Sequence, residues 1–152
     1  MTKKIEEIIR VNQAGELGAI QIYKGQLAVL KKKPISRELH EMLAKEYNHY
    51  ETFNKLIIDY KVRPTALSPI WKFGAYGIGV ITAMMGKKAT MACTEAVEEV
   101  IINHYEEQTE YLKDKDKKLS KITKKFSLEE KEHLNLAKKH DTGSGFFHTA
   151  LK

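Results

Sequence analysis

At 152 residues with one cysteine and a net charge of +6, the chain is long enough for one domain with a substantial core. It has no cysteine pair for an intrachain disulfide or a thiolate zinc site. Three prolines and nine glycines leave room for long helices, and alternating strand patterns are nearly absent, so an all-α protein is expected.

The positive charge comes mostly from lysine, with arginine only at Arg10, Arg37 and Arg63. Specific nucleic-acid readers lean on arginine and exposed aromatics, so no nucleic-acid partner is expected. Solvated helix faces, or attraction to an anionic membrane, account for the lysine clusters. No signal or arginine-rich transit peptide precedes Ile5, so the chain is expected to be cytosolic or already mature.

Five helices are predicted. The first runs from about Lys4 to Lys31, with an apolar face through Ile5, Ile8, Ile9, Ile20, Tyr23, Leu27 and Leu30. Pro34 stands where a helix-starting proline belongs, and the second helix continues to about Tyr60. Pro64 and Pro69 break the chain before the third, about Ile70 to Met85.

That third segment carries no charge from Phe73 to Met85 and is shorter than the roughly 20 residues that span a bilayer. It fits a buried core helix or a helix lying in a membrane interface. Trp71 and Lys72 at one end and Gly86-Lys87-Lys88 at the other favour the interface. The fourth helix is predicted from about Ala89 to Leu112 and the fifth from about Leu119 to Lys139. Asp141 to Gly145 then ends regular structure, leaving a short apolar tail within 141–152.

Across these helices one set of metal-type ligands is written twice in the same order. Glu16 is followed on the next helix by Glu46 and His49, and Glu98 at nearly the same distance by Glu130 and His133. Residues three apart are neighbours on a helix face, so each Glu-x-x-His can offer an oxygen and a nitrogen to one ion. A lone Glu from each of two helices and Glu-x-x-His from each of the others is the inventory of ferritin-like di-iron and di-manganese bundles.

Four carboxylates and two imidazoles suit two iron or manganese ions better than zinc. One Glu-x-x-His alone would be ordinary on a solvated face, but the repeat is much harder to dismiss. Ser127 to Glu130 also has the form of a capping box at a helix start. Glu95, Glu99 and Glu132 are nearby acids expected to face solvent or to support the ligands. Tyr23 and Tyr105 each lie almost two turns beyond Glu16 and Glu98, on the same faces. Each fits a packed core tyrosine or a redox relay. His104 is off the Glu98 face by about a third of a turn, and Cys93 is expected to pack.

The wording around these residues resembles a known family, the demethoxyubiquinone hydroxylases, which are membrane-associated di-iron monooxygenases of ubiquinone biosynthesis. Arg10 to Ala19, followed by Ile22 to Gln26, resembles the family's first-ligand motif. Gly86-Lys87, Met91 to Thr94, Ala96 to Glu99 and His104-Tyr105 resemble its signature from the third helix into the fourth. The resemblance covers about residues 5 to 140.

It implies a single ferritin-like four-helix bundle over 1–152 with an additional apolar membrane-interface helix. The implied iron ligands are Glu16, Glu46, His49, Glu98, Glu130 and His133, with His104 and Tyr105 as a relay. The implied cofactors are two iron ions, with O2 and NADH as co-substrates, and the substrate is a polyprenyl quinone lacking one ring hydroxyl. The membrane surface, other ubiquinone-biosynthesis proteins and a second copy of the chain are the implied partners. The expected location is peripheral, on the cytoplasmic face of a bacterial inner membrane, or on the mitochondrial inner membrane for a processed eukaryotic chain.

Two departures stand out. The family more often has an acidic residue and a histidine where this chain has Asn12-Gln13, and usually continues into a last apolar helix where this chain has its short tail. Competing readings of the same ligands are a ferritin-like iron-oxidising or peroxide-scavenging protein, a di-iron hydroxylase acting on tRNA, and a non-enzymatic membrane-interface scaffold. The uncharged Phe73 to Met85 segment argues against an iron store, and the scarcity of arginine against RNA.

Overall fold

In a computed structural model that describes residues 2–140, every regular element is a helix. They are α1 (Lys3–Leu30), α2 (Ser36–Asp59), α3 (Ser68–Met84), α4 (Lys87–Leu112) and α5 (Lys117–His140). The predicted tail, 141–152, lies outside the described residues. The helices fall into two compact units, Met1–Met84 with α1 to α3 and Met85–Lys152 with α4 and α5.

Local chemistry sets most helix ends. Thr2 caps α1, its hydroxyl accepting from the Ile5 N–H at 3.2 Å, and Asp116 caps α5 by accepting from the Leu119 N–H at 2.9 Å. Gly86 precedes α4 at φ +108°, a backbone shape that side chains oppose.

Three predicted details change. Pro34 lies in the turn before α2, with Ile35 as the capping position. Pro69 does not end a break but sits in the first turn of α3, where its missing N–H would have had no helical partner. Ser127 is inside α5, donating to the Lys124 carbonyl at 2.8 Å, so the capping-box reading fails because Asp116 already starts that helix.

In the first unit α1 packs against both α2 and α3. Ile9 and Ile20 of α1 and Leu39, Met42 and Phe53 of α2 are buried, and Gln13 Nε2 donates to Asn54 Oδ1 at 2.6 Å. Arg10 Nε donates to the Arg63 carbonyl at 2.7 Å and ties down the connection into α3.

Against α3 the contact is made by small residues. A methyl group on Gly25 would collide with the Tyr76 carbonyl, and one on Gly79 with the Ile22 carbonyl, so the helices cross backbone to backbone. Gly18 leaves room for Trp71, whose indole N–H donates to the Ala14 carbonyl at 2.8 Å.

The consequence for α3 is an inverted distribution of side chains. Ala75, Gly79, Thr82 and Ala83 are buried, whereas Ile70, Phe73, Ile81 and Met84 are 74%, 82%, 61% and 73% exposed. It is therefore not the buried core helix that its composition allowed. No described helix is long and apolar enough to cross a membrane. In the second unit α4 packs on α5, with Ser120 Oγ donating to the Thr109 carbonyl at 3.0 Å.

Candidate metal centre

In the first unit α1 contributes Glu16 and α2 contributes Glu46 and His49, all but removed from solvent. His49 Nδ1 stands 3.6 Å from Glu16 Oε2 and 3.8 Å from Glu46 Oε2. In the second, α4 contributes Glu98 and α5 contributes Glu130 and His133, again buried. His133 Nδ1 lies 3.5 Å from Glu98 Oε1 and 3.0 Å from Glu130 Oε2. Within each triad the ligand atoms lie inside 4.8 Å of one another, close enough to share an ion. The three-residue spacing of each Glu-x-x-His does this by putting both side chains on the face that meets the neighbouring helix.

Burying carboxylates is costly unless their charge is balanced. Among the described residues no lysine or arginine is buried, so nothing cationic but the imidazoles shares that interior. Protons carry the balance in the second triad. Burial, then the adjacent Glu130 carboxylate, holds the Glu98 carboxyl well above its usual range, against the opposing pull of His133. For His133 burial works the other way, but the adjacent Glu130 and Glu98 carboxylates prevail and raise the imidazolium pKa to about 9.

Divalent cations fit this donor set on its chemistry. Hard carboxylate oxygens with one imidazole per triad match iron or manganese, and a cation would supply the charge that protons now supply.

The remaining sequence-marked residues separate clearly. Tyr105 is buried, its ring meeting Phe126 edge-on with centroids 6.1 Å apart and planes at 72°. Tyr23 is buried too. His104, next to Tyr105, is on the exposed side of α4 and is not among the buried residues that the triad gathers. Glu132 is exposed and Glu99 half-buried, but Glu95 is buried, which its residue type does not announce. Cys93 is buried as expected. Thr94 closes the Met91 to Thr94 stretch of the motif without being singled out there, and it is buried one turn before Glu98; that four-residue spacing is the available signal.

Residues 3–152 match the family model described as "Ubiquinone biosynthesis protein COQ7". A Dictyostelium discoideum protein named NADPH-dependent 3-demethoxyubiquinone 3-hydroxylase, mitochondrial, is 48% identical over 140 residues, covering 90% of this chain and 64% of that protein. The Rhodospirillum rubrum 3-demethoxyubiquinol 3-hydroxylase is 44% identical over 133 residues, covering 87% of this chain and 63% of the relative. The Saccharomyces cerevisiae protein named 5-demethoxyubiquinone hydroxylase, mitochondrial, is 39% identical over 158 residues, covering 91% and 66%. The chain thus spans just under two thirds of the length of these three relatives. With a match over nearly its whole length, this all-α chain belongs to the COQ7 family of ubiquinone-biosynthesis proteins.

Proposed function

We propose that this chain is a single ferritin-like domain that hydroxylates the ring of a polyprenyl demethoxyubiquinone or its quinol, using dioxygen and two irons. The observation that carries the reading is the pair of buried Glu/Glu-x-x-His triads in a chain whose relatives are named as hydroxylases of that substrate. Glu16, Glu46, His49, Glu98, Glu130 and His133 would hold the irons. The irons supply the activation of dioxygen, which amino-acid side chains alone do not perform.

The protein's own work is to hold the ligands dry and to manage protons. Exclusion of water keeps Glu98 and His133 in a low dielectric, where protons leave as a cation enters. The buried Tyr105 is a relay candidate on the Glu98 face of α4, with exposed His104 linking it toward solvent. The reductant is a reduced nicotinamide dinucleotide. NADPH, named for several relatives, takes precedence over NADH.

The outward side chains of α3, with Lys72, Lys87 and Lys88 at its ends, attach the protein peripherally to the membrane that dissolves its substrate. The eukaryotic relatives are mitochondrial by name, and the equivalent site in a bacterium is the cytoplasmic face of the inner membrane. Other ubiquinone-biosynthesis proteins and a second copy of this chain are the partners such a surface would meet.

The test is Mössbauer spectroscopy and metal analysis of protein purified without oxygen, followed by turnover. A magnetically coupled pair of irons is expected, together with a product one oxygen atom heavier when demethoxyubiquinol, NADPH and dioxygen are supplied. Isolated irons, or uptake far beyond two per chain, would return the protein to iron storage.

A further inference from the structure

A threonine inside a helix commonly turns its hydroxyl back onto the carbonyl three or four residues earlier, which divides threonine between two rotamers. The described helices follow this habit. Thr52 bonds to the Asn48 carbonyl at 3.0 Å, Thr82 to Ile78 at 2.9 Å and Thr90 to Gly86 at 3.0 Å. Thr109 bonds to Tyr105 at 2.7 Å and Thr123 to Ser120 at 3.0 Å. Thr94 does not. Its side chain is 2% exposed, and its Oγ1 has no hydrogen-bond partner among the described residues. A hydroxyl without such a bond, yet kept from bulk water, needs a partner that the described residues do not supply.

Its place on α4 indicates what that partner is. Thr94 is one turn before Glu98 on the same face, where side chains four apart have Cβ atoms about 5–6 Å from each other. Helix side chains lean toward the N-terminus, so Glu98 extends back over the turn that carries Thr94.

Resting on the reaction proposed above, we propose that Thr94 is a positioning residue of the metal site. Its Oγ1–H donates to a small oxygen- or nitrogen-donor ligand of the metal, and its oxygen accepts from a solvent molecule. Hydroxylation takes one dioxygen, the hydride of the reduced dinucleotide and one further proton, placing one oxygen on the ring and the other in water. A hydroxyl that donates on one side and accepts on the other passes that proton without net change to itself. Thr94 thereby ties proton delivery to the place where oxygen is reduced.

The experiment compares wild type with Thr94→Val, which keeps the shape and removes the hydroxyl, and Thr94→Ser, which keeps the hydroxyl. Thr94→Ala covers the case in which valine does not fit. Azide is titrated into the cobalt(II)-loaded proteins and followed by absorption. The share of NADPH oxidation that ends as hydrogen peroxide is measured on the iron-loaded ones.

Valine should bind cobalt normally and melt no lower than wild type, because its lost hydroxyl had no protein partner. It should weaken azide about tenfold, the loss of one hydrogen bond, and divert most reducing equivalents to peroxide, while serine restores both. Equal azide affinity across the series overturns the proposal. So does loss of cobalt from the valine variant with melting intact, which would make Thr94 a support for Glu98 itself. If wild type hydroxylates no demethoxyubiquinol, the proposed reaction fails, while the azide series still decides the role of Thr94.

Discussion

Two triads of the same residues at the same spacing are held differently. In the first unit His49 Nδ1 is 3.6 and 3.8 Å from its carboxylates, too far for hydrogen bonds to those oxygens. In the second, His133 Nδ1 is 3.0 Å from Glu130, and its imidazolium is held up to about pH 9. Helix spacing therefore decides which side chains meet, while the closeness of their approach differs between the triads by a few tenths of an ångström. The surroundings differ as well, since among the described residues only the first unit has a third helix, with its bulky residues turned outward.

The sharpest way to break the comparison is to remove one ligand from each side. Glu46→Ala and Glu130→Ala should each drop iron below two per chain and lower hydroxylation by at least about a hundredfold, because ligands that act as a unit fail together. Full iron and activity in either variant would mean that one triad serves no metal.

A second test sets α3 apart from the triads. Ile78 and Ile81 are 41% and 61% exposed, so Ile78→Asp with Ile81→Asp should leave folding and iron intact. Apolar burial contributes about 25 cal/mol per Å². The double variant should therefore lose more than tenfold in affinity for anionic liposomes and slow turnover of a long-tailed quinol, while a short-tailed quinol still reacts. Retention on liposomes, or loss of both activities in folded protein, would give the segment a role in packing.

The protonation of the second triad predicts a pH dependence for metal-free protein. His133 has a folded pKa of about 9 against an unfolded value near 6.5. Its stabilising contribution is complete below about pH 6.5 and disappears as pH rises through about 9. Glu98, raised in the fold, adds a charging penalty that grows as pH climbs above the ordinary carboxylate range. The urea midpoint of chelated protein should thus fall between pH 6 and 9. Iron affinity should rise over the same range as fewer protons remain to be displaced. A midpoint that climbs with pH would show that the second triad carries no such proton.

Smallest is the effect of Tyr105→Phe. The ring and its edge contact with Phe126 remain, so iron content and melting should not change. Turnover should slow by roughly tenfold if the phenol relays protons, and Tyr23→Phe measures whether the first unit has an equivalent.

The ligands are legible in the sequence because a three-residue spacing and an apolar stripe are enough to place a carboxylate and an imidazole on one buried face. Helix ends are nearly as legible, except that proline reads as a stop although the first turn of α3 tolerates it at Pro69. Ser127 misleads because a capping sequence has the same spelling in the middle of a helix. What stays hidden depends on orientation. Glycine carries no periodic signal, so the meeting of Gly25 and Gly79 is invisible in the sequence, and so is the hydroxyl direction that separates Thr94 from the other threonines.

The glycine crossing makes α3 a helix whose two faces answer to different demands. On the inner side an added methyl at Gly79 strikes a backbone atom, so the crossing point tolerates almost no change. On the outer side Phe73, Ile81 and Met84 touch little of the folded chain, so their chemistry can be altered with little effect on how the unit folds. A saturation scan of α3 read by both stability and membrane binding should therefore separate into two nearly independent sets of positions. The surface that meets the outside can then be re-tuned, to another lipid composition or another neighbour, without reopening the problem of folding.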